Sequence, residues 1–184
     1  YLRLIANPED DTSFERVVNT PPRGIGARTL DILREQARET RTAMWVAAED
    51  LVAAGALSAR AAGALTGFLA QIRELREQAR ELVLSDLTAL AIEASGLPDH
   101  YKKAKDGKGV DRIENLEELV NATRRFAHEM DDDEGDLLGA FLSHAALEAG
   151  ETQADQFEDG VQLMTIHSAK GLEFPIVFIA GVEE

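Results

Sequence analysis

Apolar positions recur at three- and four-residue steps through most of the chain, a spacing that predicts a helical body. The clearest stripe follows Ser58 as a cap: Ala61, Ala62, Leu65, Phe68, Leu69, Ile72, Leu75, Ala79 and Leu82. Shorter stripes predict a helix from about Ala27 to Glu39 (Leu30, Leu33, Ala37) and one through Met44, Trp45, Ala48, Leu51 and Val52, stopped near Gly55. Ser85 or Asp86 starts a helix carrying Leu87, Leu90, Ala91 and Ala94, ended at Gly96-Leu97-Pro98. Two more are marked by Ile113, Leu116, Leu119, Val120 and Phe126, and by Leu137, Leu138, Phe141, Leu142 and Ala145. At the start, Tyr1 to Ala6 reads as the last turns of a helix ended at Asn7-Pro8, as expected of a piece of a longer protein. Asp11-Thr12-Ser13 then offers cap candidates for a short helix through Phe14, Val17 and Val18.

Only beyond Gly160 does the period change. Short apolar runs in Val161–Ile166 and Phe174–Ala180 suit buried strands around a polar turn. The expected fold is therefore mainly α, a helical body followed by a short β-loop-β segment of α/β type. Two strands alone make no stable sheet.

Composition adds limits rather than a function. The 184 residues carry a formal charge of −15 and no cysteine, which excludes disulfides and thiolate metal sites and suits a reducing cytoplasm. The longest apolar runs are far below the ~20 residues a membrane helix needs, so no membrane partner is expected. The negative charge opposes general affinity for a polyanion, because phosphate binding is mostly electrostatic. It is uneven, however: Glu129 to Asp159 holds eleven acidic residues and no Lys or Arg, whereas Lys102 to Arg112 holds five basic and two acidic ones. Any nucleic-acid contact must be local. The basic run Lys102-Lys103-Ala104-Lys105-Asp106-Gly107-Lys108 could touch phosphates or be a solvated loop. Asp131 to Glu134 lacks the spaced ligands of a calcium loop and reads as an acidic loop, so no metal site is expected. Trp45 reads as a core or helix-packing residue, and His144 as a structural residue or a polar contact to nucleic acid.

Two loops could carry chemistry. Gly24-Ile25-Gly26 follows Pro21-Pro22-Arg23 and precedes a helix. Ile25 can anchor inward while amides at the helix start, with Arg23, Arg28 and Thr29, suit a phosphate. Gly-x-Gly by itself fits an ordinary inter-helix turn better than a phosphate site. In the second loop, Thr165 and Ser168 can donate to phosphates, Lys170 brings a point charge, Gly171 permits close approach and Glu173 can accept from a sugar hydroxyl. Taken singly these residues also fit a polar surface turn, and His167 a structural hydrogen bond.

As an ordered string, Thr165-Ile-His167-Ser-Ala-Lys170-Gly171-Leu-Glu173-Phe closely resembles motif V of the UvrD/PcrA/Rep-type DNA helicases of superfamily 1. Thr20-Pro-Pro-Arg23-Gly24-Ile25-Gly26 resembles the element with which that family's accessory domain grips duplex DNA. Tyr1-Leu-Arg-Leu-Ile5, Phe14 to Thr20, Arg112 to Leu119 and Phe141 to Glu148 follow in the family's order, so the resemblance covers nearly the whole chain. It implies an ATP-dependent 3′→5′ DNA helicase of excision and mismatch repair, with ATP and Mg2+ as cofactors of the parent enzyme. Its partners would be DNA, at the junction of duplex and single strand, and repair proteins. Residues 1–8 would end a helix of motor domain 2A, 9–160 would form accessory domain 2B, and 161–184 would re-enter 2A. Arg23, Gly24, Ile25, Gly26, Arg28 and Thr29 would meet the duplex, Thr165 and His167 the single strand, and Gly171 and Glu173 the nucleotide. No catalytic residue is expected here, because the chain lacks a Gly-x-x-x-x-Gly-Lys-Ser/Thr loop, an Asp-Glu pair on a strand and a later arginine motif. The competing expectation is an acidic helical module that binds a protein partner with negligible DNA contact.

Overall fold

The computed structural model describes residues 1–105, 107–130, 136–152, 163–166 and 169–180, with side chains described outside 148–152. Two compact units result, residues 1–145 and 146–184. The first is wholly helical: α1 (Leu2–Ala6), α2 (Asp11–Val17), α3 (Ala27–Thr40), α4 (Met44–Ala53), α5 (Ala59–Gln78), α6 (Leu84–Ser95), α7 (Leu97–Lys102), α8 (Gly109–Glu129) and the start of α9 (Leu137–Thr152).

The long helix α5 is the spine. Its buried positions Ala61, Leu65, Phe68, Leu69, Ile72 and Leu75 follow the expected stripe, and the Ser58 hydroxyl caps it by accepting from the Ala61 amide at 3.3 Å. Helices α1, α4 and α6 pack on this spine. Phe14 of α2 meets Phe68 edge-to-face, with ring centroids 5.6 Å apart. Trp45 is buried to 7% exposure against the same cluster. Its indole N–H donates to Glu49 Oε1 at 2.9 Å, and Arg73 of α5 lies over its ring. A second, smaller cluster joins Leu84 of α6, Phe126 of α8 and Phe141 of α9, with Phe126 and Phe141 at 5.4 Å edge-to-face. The His144 ring lies 5.3 Å from that of Phe126.

Three local features differ from the pattern-based expectation. Asp10, not a residue of 11–13, caps α2, accepting from the Ser13 amide at 3.0 Å and the Ser13 hydroxyl at 2.6 Å. Asp11 is thereby released to accept from the Met44 amide at 2.7 Å, capping α4 from 33 residues away where Ala43 offers no side-chain cap. Gly96 adopts φ +75° and ends α6, yet Leu97-Pro98 starts the further helix α7, because proline suits the first helical turn as well as it stops a preceding one.

Helix α3 is tied to α2 by a bidentate pair, with Arg34 donating to the two Glu15 oxygens at 2.6 and 3.0 Å. Arg34 holds the Glu15 carboxyl below its ordinary range, and the Ser13 hydroxyl does the same for Asp10. Depressed carboxyl values contribute stability above the unfolded-state value, lost as pH falls through the folded one. The melting temperature should therefore drop on acidification below about pH 4.5. Glu15→Gln should flatten that acid limb while lowering the melting temperature at pH 7; an unchanged limb in thermal melts at pH 3–7 would remove Glu15 from the account.

The expected β-loop-β is not formed among the described residues of the second unit. Among the described residues, 163–166 and 169–180 carry no strand, and Leu163, Ile176, Val177, Phe178 and Ile179 are exposed. A strand is stable only when neighbouring strands take its backbone groups, and 16 described residues supply none.

Candidate nucleic-acid interface

The 20–29 loop is built around one buried side chain and one amide template. Ile25 is 1% exposed and enters the main apolar cluster, while its neighbours Gly24 and Gly26 are exposed. Asn19, just past α2, accepts through Oδ1 from the Arg23 amide at 2.7 Å and the Ile25 amide at 3.3 Å. One side chain thus fixes both ends of the turn. Gly24 sits at φ +82°, a left-handed conformation that glycine adopts without strain. Gly26 is the N-cap of α3 and has no side chain to close the helix start. Its carbonyl accepts from the Thr29 and Leu30 amides at 3.0 and 3.2 Å, whereas the Ala27 and Arg28 amides meet no acceptor among the described residues. Arg28 is exposed and unpaired there, and Thr29 is half-buried.

Arg23 departs from the expectation of a phosphate-facing cation. Its guanidinium turns inward and donates to Val17 O at 3.0 Å, Pro21 O at 3.1 Å, Tyr1 Oη at 2.5 Å and Ser95 O at 3.3 Å, with longer contacts to Val18 O and Gln71 Oε1. The same group lies 5.3 Å from the centre of the Phe68 ring. It sits at the C-terminal ends of α2 and α6, where the aligned carbonyls favour a cation. The Tyr1 hydroxyl passes the link on, donating to Thr20 O at 2.6 Å, and burial pushes its phenol up so that this donor keeps its proton at neutral pH. Gln71 completes the knot by donating to Ala94 O. Arg23 shapes the loop from behind. Arg28 faces out.

Sequence reasoning missed one member of this surface. The Arg60 guanidinium, from the first turn of α5, covers Gly24: a Cβ added there would lie 3.1 Å from Arg60 Nε and Nη2. Nothing in the local spacing signals a residue 36 positions away.

A profile of the UvrD-like helicase C-terminal domain matches residues 1–184. The chain belongs to that family. It is 55% identical over 184 residues to DNA helicase II of Escherichia coli K12 and 51% identical to DNA helicase II of Haemophilus influenzae. The ATP-dependent DNA helicase PcrA of Bacillus subtilis is 37% identical over 190 residues. Each match takes in the whole chain but only 25 or 26% of the relative. The chain thus spans about a quarter of the length of these helicases.

In this member of the UvrD-like family, the second candidate loop is an exposed turn. The Ala169 amide donates to Thr165 O at 3.0 Å and the Leu172 amide to Ala169 O at 3.0 Å, and Gly171 turns the chain at φ +89°. Thr165, Lys170 and Glu173 are exposed, while His167 and Ser168 lie outside the described residues. Lys170 is the one cation of the described turn, and no group of three or more His, Asp or Glu that could hold a metal occurs among the described residues.

The remaining charged features are peripheral. Lys102 lies 3.8 Å from Asp99 at the surface, and Lys103 and Lys105 are exposed. The acidic run Asp131 to Gly135 lies outside the described residues. No described helix is long and apolar enough to cross a membrane.

Proposed function

We propose that this chain is the duplex-holding part of an ATP-dependent 3′→5′ DNA helicase of excision and mismatch repair. In this reading residues 9–160 are accessory domain 2B, and 1–8 and 161–184 are flanking segments of motor domain 2A. ATP and Mg2+ belong to the rest of the parent enzyme, and this chain hydrolyses nothing by itself. The observation that carries the reading is the 20–29 loop: Ile25 anchored inside, Gly24 and Gly26 exposed, two open amides and the unpaired Arg28 at the start of α3. Backbone donors and one cation hold phosphates without reading bases, so the grip is independent of sequence. A mostly acidic surface confines that grip to one place and keeps it weak. Thr165 and His167 would touch the single strand, and Gly171 and Glu173 the ATP ribose side, once the missing motor parts supply neighbours for the exposed apolar runs.

The test is a titration of a labelled hairpin duplex by fluorescence anisotropy between 20 and 200 mM salt. Weak binding is expected, equal for unrelated sequences, with affinity falling steeply as salt rises. Arg28→Ala should weaken it about 5- to 10-fold and reduce the slope of log K against log salt by about 0.9. Binding unaffected by Arg28→Ala and by salt would sink the proposal and leave the acidic protein-interaction module as the better account.

A further inference from the structure

We infer that Arg60, on the first turn of α5, is a second phosphate contact of the duplex grip, held in place by the absence of a side chain at Gly24. The inference rests on the reading of the 20–29 loop given above and adds a residue from a separate helix to it. The geometry is specific. Arg60 Nε and Nη2 stand 3.1 Å, and Cζ 3.4 Å, from the position a Gly24 Cβ would take, so the guanidinium brings its Nε–Nη2 edge up to the bare glycine of the turn. A Cβ there would be tighter than ordinary contact and would push the guanidinium aside by a few tenths of an ångström, and the φ of +82° itself favours glycine.

The charge is otherwise unexplained. Arg34, Arg73, Arg80 and Arg125 each pair with a carboxylate, and Arg23 is consumed inside the fold. Arg60 is exposed and has no hydrogen-bond or ion-pair partner among the described residues, although the chain holds 34 acidic against 19 basic side chains. A cation in the first turn of a helix is also set against the helix dipole, a cost that a bound anion would reverse. Arg28 occupies the same second helical position in α3 that Arg60 occupies in α5, each after an alanine. Two unpaired guanidinium groups thus come from two helix starts around one glycine turn. A planar, five-donor group is suited to bidentate contact with a phosphate, and two of them can meet a backbone that runs past the loop.

The test extends the anisotropy titration to Arg60→Ala, Arg60→Lys, Gly24→Ala and the Gly24→Ala/Arg60→Ala double variant of the same chain. Arg60→Ala should leave the thermal melt unchanged, weaken duplex binding about 5- to 10-fold and lower the salt slope by about 0.9, while Arg60→Lys keeps the slope. Gly24→Ala should weaken binding in the parent background by displacing Arg60, and much less in the Arg60→Ala background. If Arg60→Ala binds as the parent does while Arg28→Ala is impaired, the inference fails and the loop reading survives. If both variants bind as the parent does, both fail together. An equal loss from Gly24→Ala in either background would overturn the positioning role of the glycine.

Discussion

Arg23→Ala should destabilise the chain by about 3 kcal/mol in urea unfolding, while Arg28→Ala, five residues on, should change stability by less than about 0.5 kcal/mol. Both are loop arginines at the same motif, yet they do opposite work. Removing the Arg23 guanidinium leaves the carbonyls of Pro21 and Ser95 and the Tyr1 hydroxyl without that donor in a half-buried site, while the Val17 carbonyl keeps only the Thr20 amide. A hydrogen bond to a charged group contributes about 1.5–3 kcal/mol, and an unmet buried acceptor costs about 1–3 kcal/mol. These terms overlap, and the partial exposure of Arg23 lets water replace some of them. Arg23→Lys should recover little, since one ammonium cannot span acceptors on Tyr1, α2 and α6. The folded fraction of Arg23→Ala should still show the parent's salt slope in the duplex titration. A stable Arg23→Ala protein with a reduced slope would return Arg23 to the phosphate-facing side.

Phe68→Ala should be the most damaging single truncation, costing about 4 kcal/mol. Phe68 is 1% exposed at the middle of α5, so its loss opens a cavity that the surrounding helices close only in part. It also removes the edge-to-face contact with Phe14 and the ring beneath the Arg23 guanidinium. Domains of this size hold about 5–15 kcal/mol in all, so the variant should be partly unfolded at 37 °C. Phe68→Leu keeps most of the volume and should cost about 1.5 kcal/mol. A loss below 1 kcal/mol for the alanine variant, measured by urea unfolding, would show that α5 is not the spine described here.

How far the sequence revealed these features depended on the range of the interaction involved. The stripe on α5 and its Ser58 cap were legible because both are set by residues within one helix. The cap on α4 was not, because Asp11 reaches it across the fold and the local sequence shows only Ala43. Helix α7 was hidden because Leu97-Pro98 carries one signal with two meanings, an end and a beginning. The two apolar runs of the tail have strand-like composition, but strand formation belongs to the sheet and not to the segment. At the loop, the inward anchor Ile25 was legible from its place between two glycines. Arg23 was not, since a formal charge in a sequence gives no direction. Arg60 could be found only once the chain had brought α5 beside Gly24.

The apolar packing is divided between a large cluster around α5 and a small one around Phe126, and the single tryptophan of the chain lies in the large one. Indole emission therefore reports optically on one cluster, whereas far-ultraviolet dichroism sums all the helices. Superimposable melting curves from the two signals would mean that the clusters dissolve as one cooperative block; separated curves would mean that α8 and α9 can let go while the face bearing the glycine turn stays intact.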